Sequence, residues 1–434
     1  MKNKYNNILI YYKYIMKIYD HIIIGSGLSG LYIGYNLQKN NSDFLIFEKK
    51  LRIGGRIITI NTNIEDIKYD VGAVRIPDDH YRIKKLINEL KLDNNIKYFD
   101  NNIKYFLRNK HNNFTYNTVN LKDNYNIIYN KIITKSLTLT KKYLQSNTGS
   151  QIITDLYNSE YSKYLIDSSG YNQNLEIMNY YDFIRIYKNT DRRYYYLKDG
   201  FSQICNKLSS SFQNKIKFGF ELLDYKFENN IFSLKLNNSN NNIIYYKCKS
   251  LILCIPKQNL VKIKSLSNIQ SNLETVSNNQ YARIYAIYPK DKNNKVWFEN
   301  ISKTITDSSI RQIIPINYEK GLIQISYSDG YYAKYWENAL ISNQTLNMIN
   351  KQLHNIYPNI EIPNPIYLQT HYWKNGTHYW LPTFDSNKIH DFLLKPYKYP
   401  LYICGEAYSM YQGWMEGALE TAECVLNLLK TKKI

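Results

Sequence analysis

The stretch His21 to Gly30, HIIIGSGLSG, sets Gly25, Gly27 and Gly30 at G-x-G-x-x-G spacing and runs on into LYIGYNL. The chemistry open to such a turn is phosphate binding. The first glycine permits a tight turn, the second lets backbone approach a pyrophosphate, and the third lets the next helix pack closely on its strand. The helix start at Leu28 and Ser29 offers free N–H groups and the positive end of a dipole. Glu48 adds weight to the motif. With Lys49 it ends a second apolar run about eighteen residues beyond Gly30, where an acid accepts hydrogen bonds from an adenosine ribose. Turn and acid together predict a dinucleotide site.

Other reactive residues point away from competing chemistries. Five cysteines (Cys205, Cys248, Cys254, Cys404, Cys424) form no C-x-x-C pair. That pattern predicts reduced thiols in a cytoplasmic compartment, with neither a zinc site nor a disulfide framework. The net charge of +20 would draw anions. The lysines are scattered singly, however, and form no block of like charges, so a solvated basic surface is expected and specific nucleic-acid binding is not. The 45 tyrosines, with abundant Asn, Ile and Lys, reflect AT-rich codons more than function.

A chain of 434 residues predicts two domains. Residues 19–24 read as a buried strand, 28–39 as a helix and 43–50 as a second parallel strand, a unit of about thirty residues and so of βαβ size. A helix should follow Pro77-Asp78-Asp79, capped by its aspartates and carrying Ile83, Leu86, Ile87 and Leu90 at helical spacing. Helices are expected near 120–145 and 151–166, and strands over 214–255. Further strands are expected near 281–288 and 310–327, and a helix at 338–356. LYICGEA (401–407) is a last strand and 413–430 a last helix. Residues 8–16 are the sole candidate targeting segment, too short and too broken by Lys13 for a signal peptide or membrane span. Met16 is an alternative start.

Gly54-Gly55-Arg56 follows the acidic strand end, and CGEAYSMYQGWMEGALETAECVLNLL closes the chain. With these motifs the sequence resembles the flavin-containing amine oxidase family from about Tyr19 to Leu429. The resemblance implies FAD as the ligand of the glycine turn. Gly55 and Arg56 would lie beside its pyrophosphate. Gly405 and Glu406 would contact its ribityl–phosphate chain, and Gly413 and Met415 would bring the last helix to the ring. YYYLKDGFSQICNKL resembles the family's lead into a helix. KIKFGFELLDYKF with SLILCIPKQNL resembles the strand pair at the adenine, with Leu222 at the backbone-contact position. The segment that carries covalent flavin attachment in some relatives has no cysteine here, so non-covalent FAD is expected.

YDVGAVRIPDDH resembles the L-amino-acid oxidase and tryptophan monooxygenase branch. By that resemblance Gly72, Ala73 and Val74 pass beneath the flavin ring and Arg75 grips a substrate carboxylate, for which a planar guanidinium is well shaped. The competing reading pairs Arg75 with Asp70 or Asp78. Trp414 matches the aromatic residue that flanks the flavin, and WKNGTHYWLP offers Tyr379 or Trp380 as the opposing wall. Arg283 stands where the family commonly has a lysine near the flavin. Because arginine keeps its proton, oxygen is a less secure electron acceptor here. His378 is not a compelling attachment site, and His80 reads as part of a helix start more than as a base.

The implied fold class is α/β: a Rossmann-like FAD-binding domain of glutathione reductase-like type, interleaved with an α+β substrate-binding domain. The first takes residues 16–80, 195–260 and 386–434, the second 81–194 and 261–385, and residues 1–15 form an N-terminal extension. The implied activity oxidises the C–N bond of an L-amino acid or related amine to an imine, and O2 becomes H2O2. Expected partners are therefore the amine and O2, with a homodimer left open and no membrane. Rival readings are a polyamine oxidase, a desaturase-type or porphyrinogen-oxidising flavoprotein, or a degenerate FAD-binding structural protein. The HYWKNGTHYW segment also resembles amine oxidase-like proteins of large DNA viruses, which would imply packaging in a particle.

Overall fold

The strand Ile18–Ile24 is central because Ile22, Ile23 and Ile24 are buried on both faces. Alternation sends Ile23 to one side, against the helix Leu28–Lys39, and Ile22 and Ile24 to the other, against Leu222, Leu253 and Trp380. Its neighbours Phe44–Glu48 and Ile243–Leu253 both run parallel to it. This computed structural model describes residues 17–99, 102–111, 115–119, 121, 124–189 and 192–430. The N-terminal extension 1–15, the candidate targeting segment 8–16 and Met16 lie outside the described residues.

The seven-stranded sheet built on this centre runs in the order Phe220–Glu228, Ile231–Asn238, Ile243–Leu253, Ile18–Ile24, Phe44–Glu48, Ile216–Phe218. Leu401–Ile403 adds to it by pairing parallel with Ile243–Leu253. Three segments far apart in the chain thus share one sheet. The last helix, Met415–Lys430, packs on the helix Leu28–Lys39, and Ser29 Oγ donates to the Ala418 carbonyl at 2.8 Å.

A second sheet, six-stranded, runs Tyr367–Thr377, Asn279–Ile287, Leu322–Asp329, Gln312–Asn317, Lys303–Thr306, Ile103–Phe106. Beside it lies a helical block between Tyr125 and Tyr187 with its own apolar core. Polar residues that looked like compositional bias start these helices: Asn124, Thr140, Thr148, Asn158 and Asn179 each accept a backbone N–H at a helix N-terminus. They also divide what periodicity alone merged. The stretch 120–145 holds two helices, Tyr125–Ser136 and Lys141–Ser146, and 151–166 spans Gly149–Leu156 and Ser159–Ser169. The helix expected at 338–356 is likewise two, Gly330–Ile341 and Thr345–Ile356, parted where Asn343 turns left-handed at φ 56°. Near 310–327, Gly321 at φ 66° separates two strands.

Asp78 and Asp79 do not cap the helix Tyr81–Glu89. They pair with Arg193 at 3.5 Å and Arg192 at 2.9 Å. Glu416, from the last helix, takes the capping role instead, accepting from the N–H groups of Arg82 and Ile83 at 3.1 Å each. A carboxylate there opposes the positive end of the helix dipole. No helix of the described residues is long and apolar enough to cross a membrane, and among them no cluster of His, Cys, Asp or Glu is arranged to hold a metal ion.

Candidate functional site

The parallel strands end at a cavity of about 670 Å³. Its lining includes Gly25, Gly27, Leu28, Ser29, Glu48, Lys49, Gly55, Arg56, Gly72, Ala73, Val74, Arg75, Leu222, Arg283, Tyr379, Gly405, Glu406, Gly413, Trp414 and Met415. Of the residues the sequence assigned to cofactor or substrate, Gly30 and Trp380 stay off this wall, as do His80 and His378. A side chain on Gly30 would put its Cβ 2.0 Å from the Gly25 carbonyl oxygen, so this glycine sets how closely helix and strand approach. At Gly27 nothing lies within 4 Å of the corresponding point, so that position opens into the cavity.

The helix Leu28–Lys39 begins without a side-chain cap and without an acid in its first turn. Its leading N–H groups therefore point at the cavity unclaimed by a side chain, as a phosphate site requires. Gly54 N–H donates to the Ser26 carbonyl at 2.8 Å, which brings the second glycine loop against the first. Glu48 holds the turn from the other side, accepting from Ser26 N–H at 2.8 Å and Ser26 Oγ at 2.9 Å, and from Lys50 N–H at 2.9 Å. Lys49 reaches Glu221 at 2.8 Å.

Arg56 crosses to the closing motif, where Nη1 donates to Glu406 Oε2 at 2.6 Å and to the Gly376 carbonyl at 2.9 Å. The other Glu406 oxygen accepts from Gly413 N–H at 2.7 Å and His378 N–H at 3.0 Å. Burial alone would raise this carboxyl, but the Arg56 guanidinium and His378 hold it well below the usual carboxylate range. Burial depresses His378 in turn, so the ring is neutral. Because ionised Glu406 only accepts, Nδ1 carries the proton in the 2.9 Å bond to it.

The opposite part of the cavity is aromatic. Arg75 Nη2 donates to Tyr171 Oη at 2.9 Å, and its guanidinium lies 4.4 Å from the Tyr194 ring centre and 6.0 Å from that of Trp414. Neither aspartate of the competing reading reaches it. Asp70 accepts from Thr59 Oγ1 at 2.6 Å and Phe201 N–H at 3.0 Å, and Asp78 faces Arg193. Trp414 stacks on Tyr194 at 6.3 Å, and the edge of His80 meets it at 5.2 Å. Burial, with the charge of Arg192, pushes His80 down to about 3, which makes it a very weak base.

Tyr379 Oη meets Tyr281 Oη at 2.9 Å, both on the cavity wall. Trp380 points the other way, fully buried, with Nε1 donating to the Ser409 carbonyl at 3.1 Å. Both lie beyond the end of the strand Tyr367–Thr377, and the bridge of Trp380 to Val276 with its bond to Ser409 turns that side chain inward. Arg283 is 5% exposed and stacks over Tyr327 at 4.0 Å.

Sequence reasoning missed Tyr171, Tyr187, Tyr281 and Tyr327 on this wall. In a chain so rich in tyrosine, nothing marked these four. It also missed the pairing of His378 with Glu406. A G-E-A stretch downstream of a buried-looking T-H-Y was the available hint.

The cavity thus fits an elongated phosphate-bearing group: an open glycine, uncapped helix N–H groups and paired carboxylates lie at one part, and at another an aromatic chamber whose two guanidiniums form no ion pair among the described residues. The chain is similar in sequence to several known proteins. The chain is 21% identical over 491 residues to an uncharacterised protein of Acanthamoeba polyphaga mimivirus, covering 94% of this chain and 93% of that one. It is 29% identical over 110 residues to a probable flavin-containing monoamine oxidase A of Dictyostelium discoideum, 25% of this chain and 24% of that protein. An L-amino acid oxidase of Cerastes cerastes is 31% identical over 74 residues, 17% of this chain and 14% of the other. Matches to these two named oxidases therefore span a quarter or less of their length. The profile described as flavin containing amine oxidoreductase matches residues 28–425, and the chain belongs to that family.

Proposed function

We propose that the chain is an FAD-dependent oxidase of L-amino acids that binds FAD without a covalent link. Gly25, Gly27, Leu28, Ser29 and Gly55 would hold the pyrophosphate, Glu48 the ribose and Leu222 the adenine end. Gly405, Glu406, Gly413 and Met415 would meet the ribityl chain and ring. When bound, FAD supplies a two-electron acceptor for the C–N bond and a donor to O2. The substrate, R–CH(NH2)–COO−, loses two electrons and two protons to become an imino acid, which water hydrolyses to keto acid and ammonia. O2 gains the same two electrons and two protons to become H2O2.

The chain's residues contribute binding, orientation and dryness. Arg75 pairs with the substrate carboxylate and so fixes the direction in which Cα faces. Trp414 and Tyr379 frame the amine, and an apolar frame disfavours the ammonium relative to the reactive free amine. The single observation behind this reading is Arg75 on the cavity wall, held by Tyr171 and Tyr194 with no carboxylate partner among the described residues. The near full-length likeness to a mimivirus protein supports a large-DNA-virus setting. Anaerobic mixing of the yellow protein with the twenty amino acids and with polyamines tests the reading by flavin bleaching. Amino acids should bleach it, and Arg75→Met should raise the concentration needed at least tenfold. Bleaching by a polyamine alone would overturn it.

A further inference from the structure

The aromatic chamber holds a second guanidinium with an unmet need. Arg283 is 5% exposed and hydrogen-bonds Tyr285, yet its Nη1 is buried without a hydrogen-bond partner among the described residues, and no carboxylate of those residues forms an ion pair with it. A guanidinium held out of water without an anion is costly unless something else satisfies it. Its surroundings tie it to Arg75. Arg283 lies over the Tyr327 ring, Tyr327 meets Tyr171 edge-on at 5.4 Å, and Tyr171 accepts from Arg75. Both arginines thus stand on one aromatic wall of one cavity.

No acid of the cavity lining forms an ion pair with either, although the carboxyl of Asp70, behind the wall, lies near enough to feel the charge of Arg283. The lining carboxylates Glu48, Glu221 and Glu406 belong to the phosphate side and are already engaged with Ser26, Lys49 and Arg56. Asp70 and Asp329, buried in the neighbouring structure, do not line the cavity. Asp70 is bound by Thr59 and the Phe201 N–H, and Asp329 by the N–H groups of Asn172 and Gln173. One substrate carboxylate answers one guanidinium and leaves the other unpaired.

We propose that the substrate carries two carboxylates, the α-carboxylate on Arg75 and a side-chain carboxylate on Arg283, so that the preferred substrates are acidic amino acids. This rests on the amino-acid oxidase reading and narrows it. By the same charge argument a polyamine should fit poorly, since its cations would enter a chamber that already holds two.

The test compares isosteres on the flavin-loaded protein. L-glutamate, L-glutamine, L-aspartate, L-asparagine, L-leucine and putrescine are mixed with it anaerobically, and the concentration giving half-bleaching is read. The acids should act at concentrations at least fifty-fold lower than their amides, and Arg283→Gln should reduce that ratio to within a few-fold of one. A second measurement needs neither turnover nor a variant: glutarate should raise the melting temperature where butyrate at equal concentration does not. Leucine or glutamine bleaching as readily as glutamate, with no glutarate effect, would overturn this proposal and leave the amino-acid oxidase reading standing. Bleaching by putrescine alone would overturn both.

Discussion

Arg56 and Glu406 stand 350 residues apart in the chain, and their charged atoms lie 2.6 Å apart. The pair joins the second glycine loop to the closing motif, and the Glu406 side chain is only 5% exposed. Removing the cation leaves that carboxylate with His378 and two backbone N–H groups. Arg56→Met should cost about 3 kcal/mol, since breaking a buried pair on one side strands the other charge. Lys49→Met, which breaks an exposed pair with Glu221, should cost less than about 1 kcal/mol. Urea unfolding of both variants checks the contrast, and equal losses would show that Arg56 is not an anchor.

Folding and cofactor retention should separate at the glycine turn. Gly27 has φ −69°, which alanine adopts freely, and open space where a Cβ would go. Gly27→Ala should fold with an unchanged melting temperature in the flavin-free form and bind FAD at least tenfold more weakly. Gly30→Ala drives its Cβ into the Gly25 carbonyl and should misfold. Fluorescence titration with FAD, alongside melting curves, distinguishes the two. A Gly27→Ala protein that retains full FAD affinity would place the phosphates elsewhere.

Tyr379 and Trp380 should part in the same way. Trp380→Phe removes a buried ring portion and the bond to Ser409, and should cost about 1–3 kcal/mol with KM unchanged. Tyr379→Phe loses its link to Tyr281 on the cavity wall and should change kcat/KM with a smaller loss of stability. Steady-state kinetics and thermal melts on both proteins decide the matter. Altered KM in Trp380→Phe with normal stability would reverse the assignment.

Acid should destabilise the protein before it protonates ordinary carboxylates. Burial holds His80 at about 3 and His371 at about 4, against 6.5 in the unfolded chain. Below about pH 6.5 the unfolded chain takes up protons that the folded chain refuses, so stability falls as pH falls. Asp70, raised by burial to about 6, acts in the opposite sense between 3.8 and 6, because there the folded chain keeps a proton the unfolded chain has lost. Other buried groups act in the same two senses, His378 with the histidines and Glu176, Asp182, Asp329 and Glu416 with Asp70. The loss is therefore read most cleanly between pH 7.5 and 6, where the unfolded chain's histidines begin to bind protons. Denaturant melts at pH 7.5, 6 and 5 read it directly. A flat or rising profile would mean that these histidines are charged in the folded protein.

The cofactor side of the cavity was legible because backbone geometry imposes it. Glycines at Gly25, Gly27 and Gly30, an acid at Glu48 and a positive-φ loop at Gly54 and Gly55 are required by local conformation and leave a local signature. The aromatic part of the cavity wall was legible only where a motif fixed the register, as at Arg75 and Trp414. Tyr171, Tyr187 and Tyr327 come from a helical block and a distant sheet, and tertiary packing alone selects them from so many tyrosines. Helix ends were misread for a related reason. Glu416 caps a helix more than 300 positions earlier, a contact no local pattern encodes.

The strand Leu401–Ile403 and the helix Met415–Lys430 close the cleft, and a ribosome makes them after both glycine loops. While they are still in the exit tunnel, Arg56 has no counter-ion and the edge of Ile243–Leu253 that they cover is bare. A nascent polypeptide therefore waits, with both glycine loops made but one wall missing, until these two elements emerge. Capture of the nucleotide should follow their emergence, and chains stalled short of Glu406 should be colourless and prone to degradation.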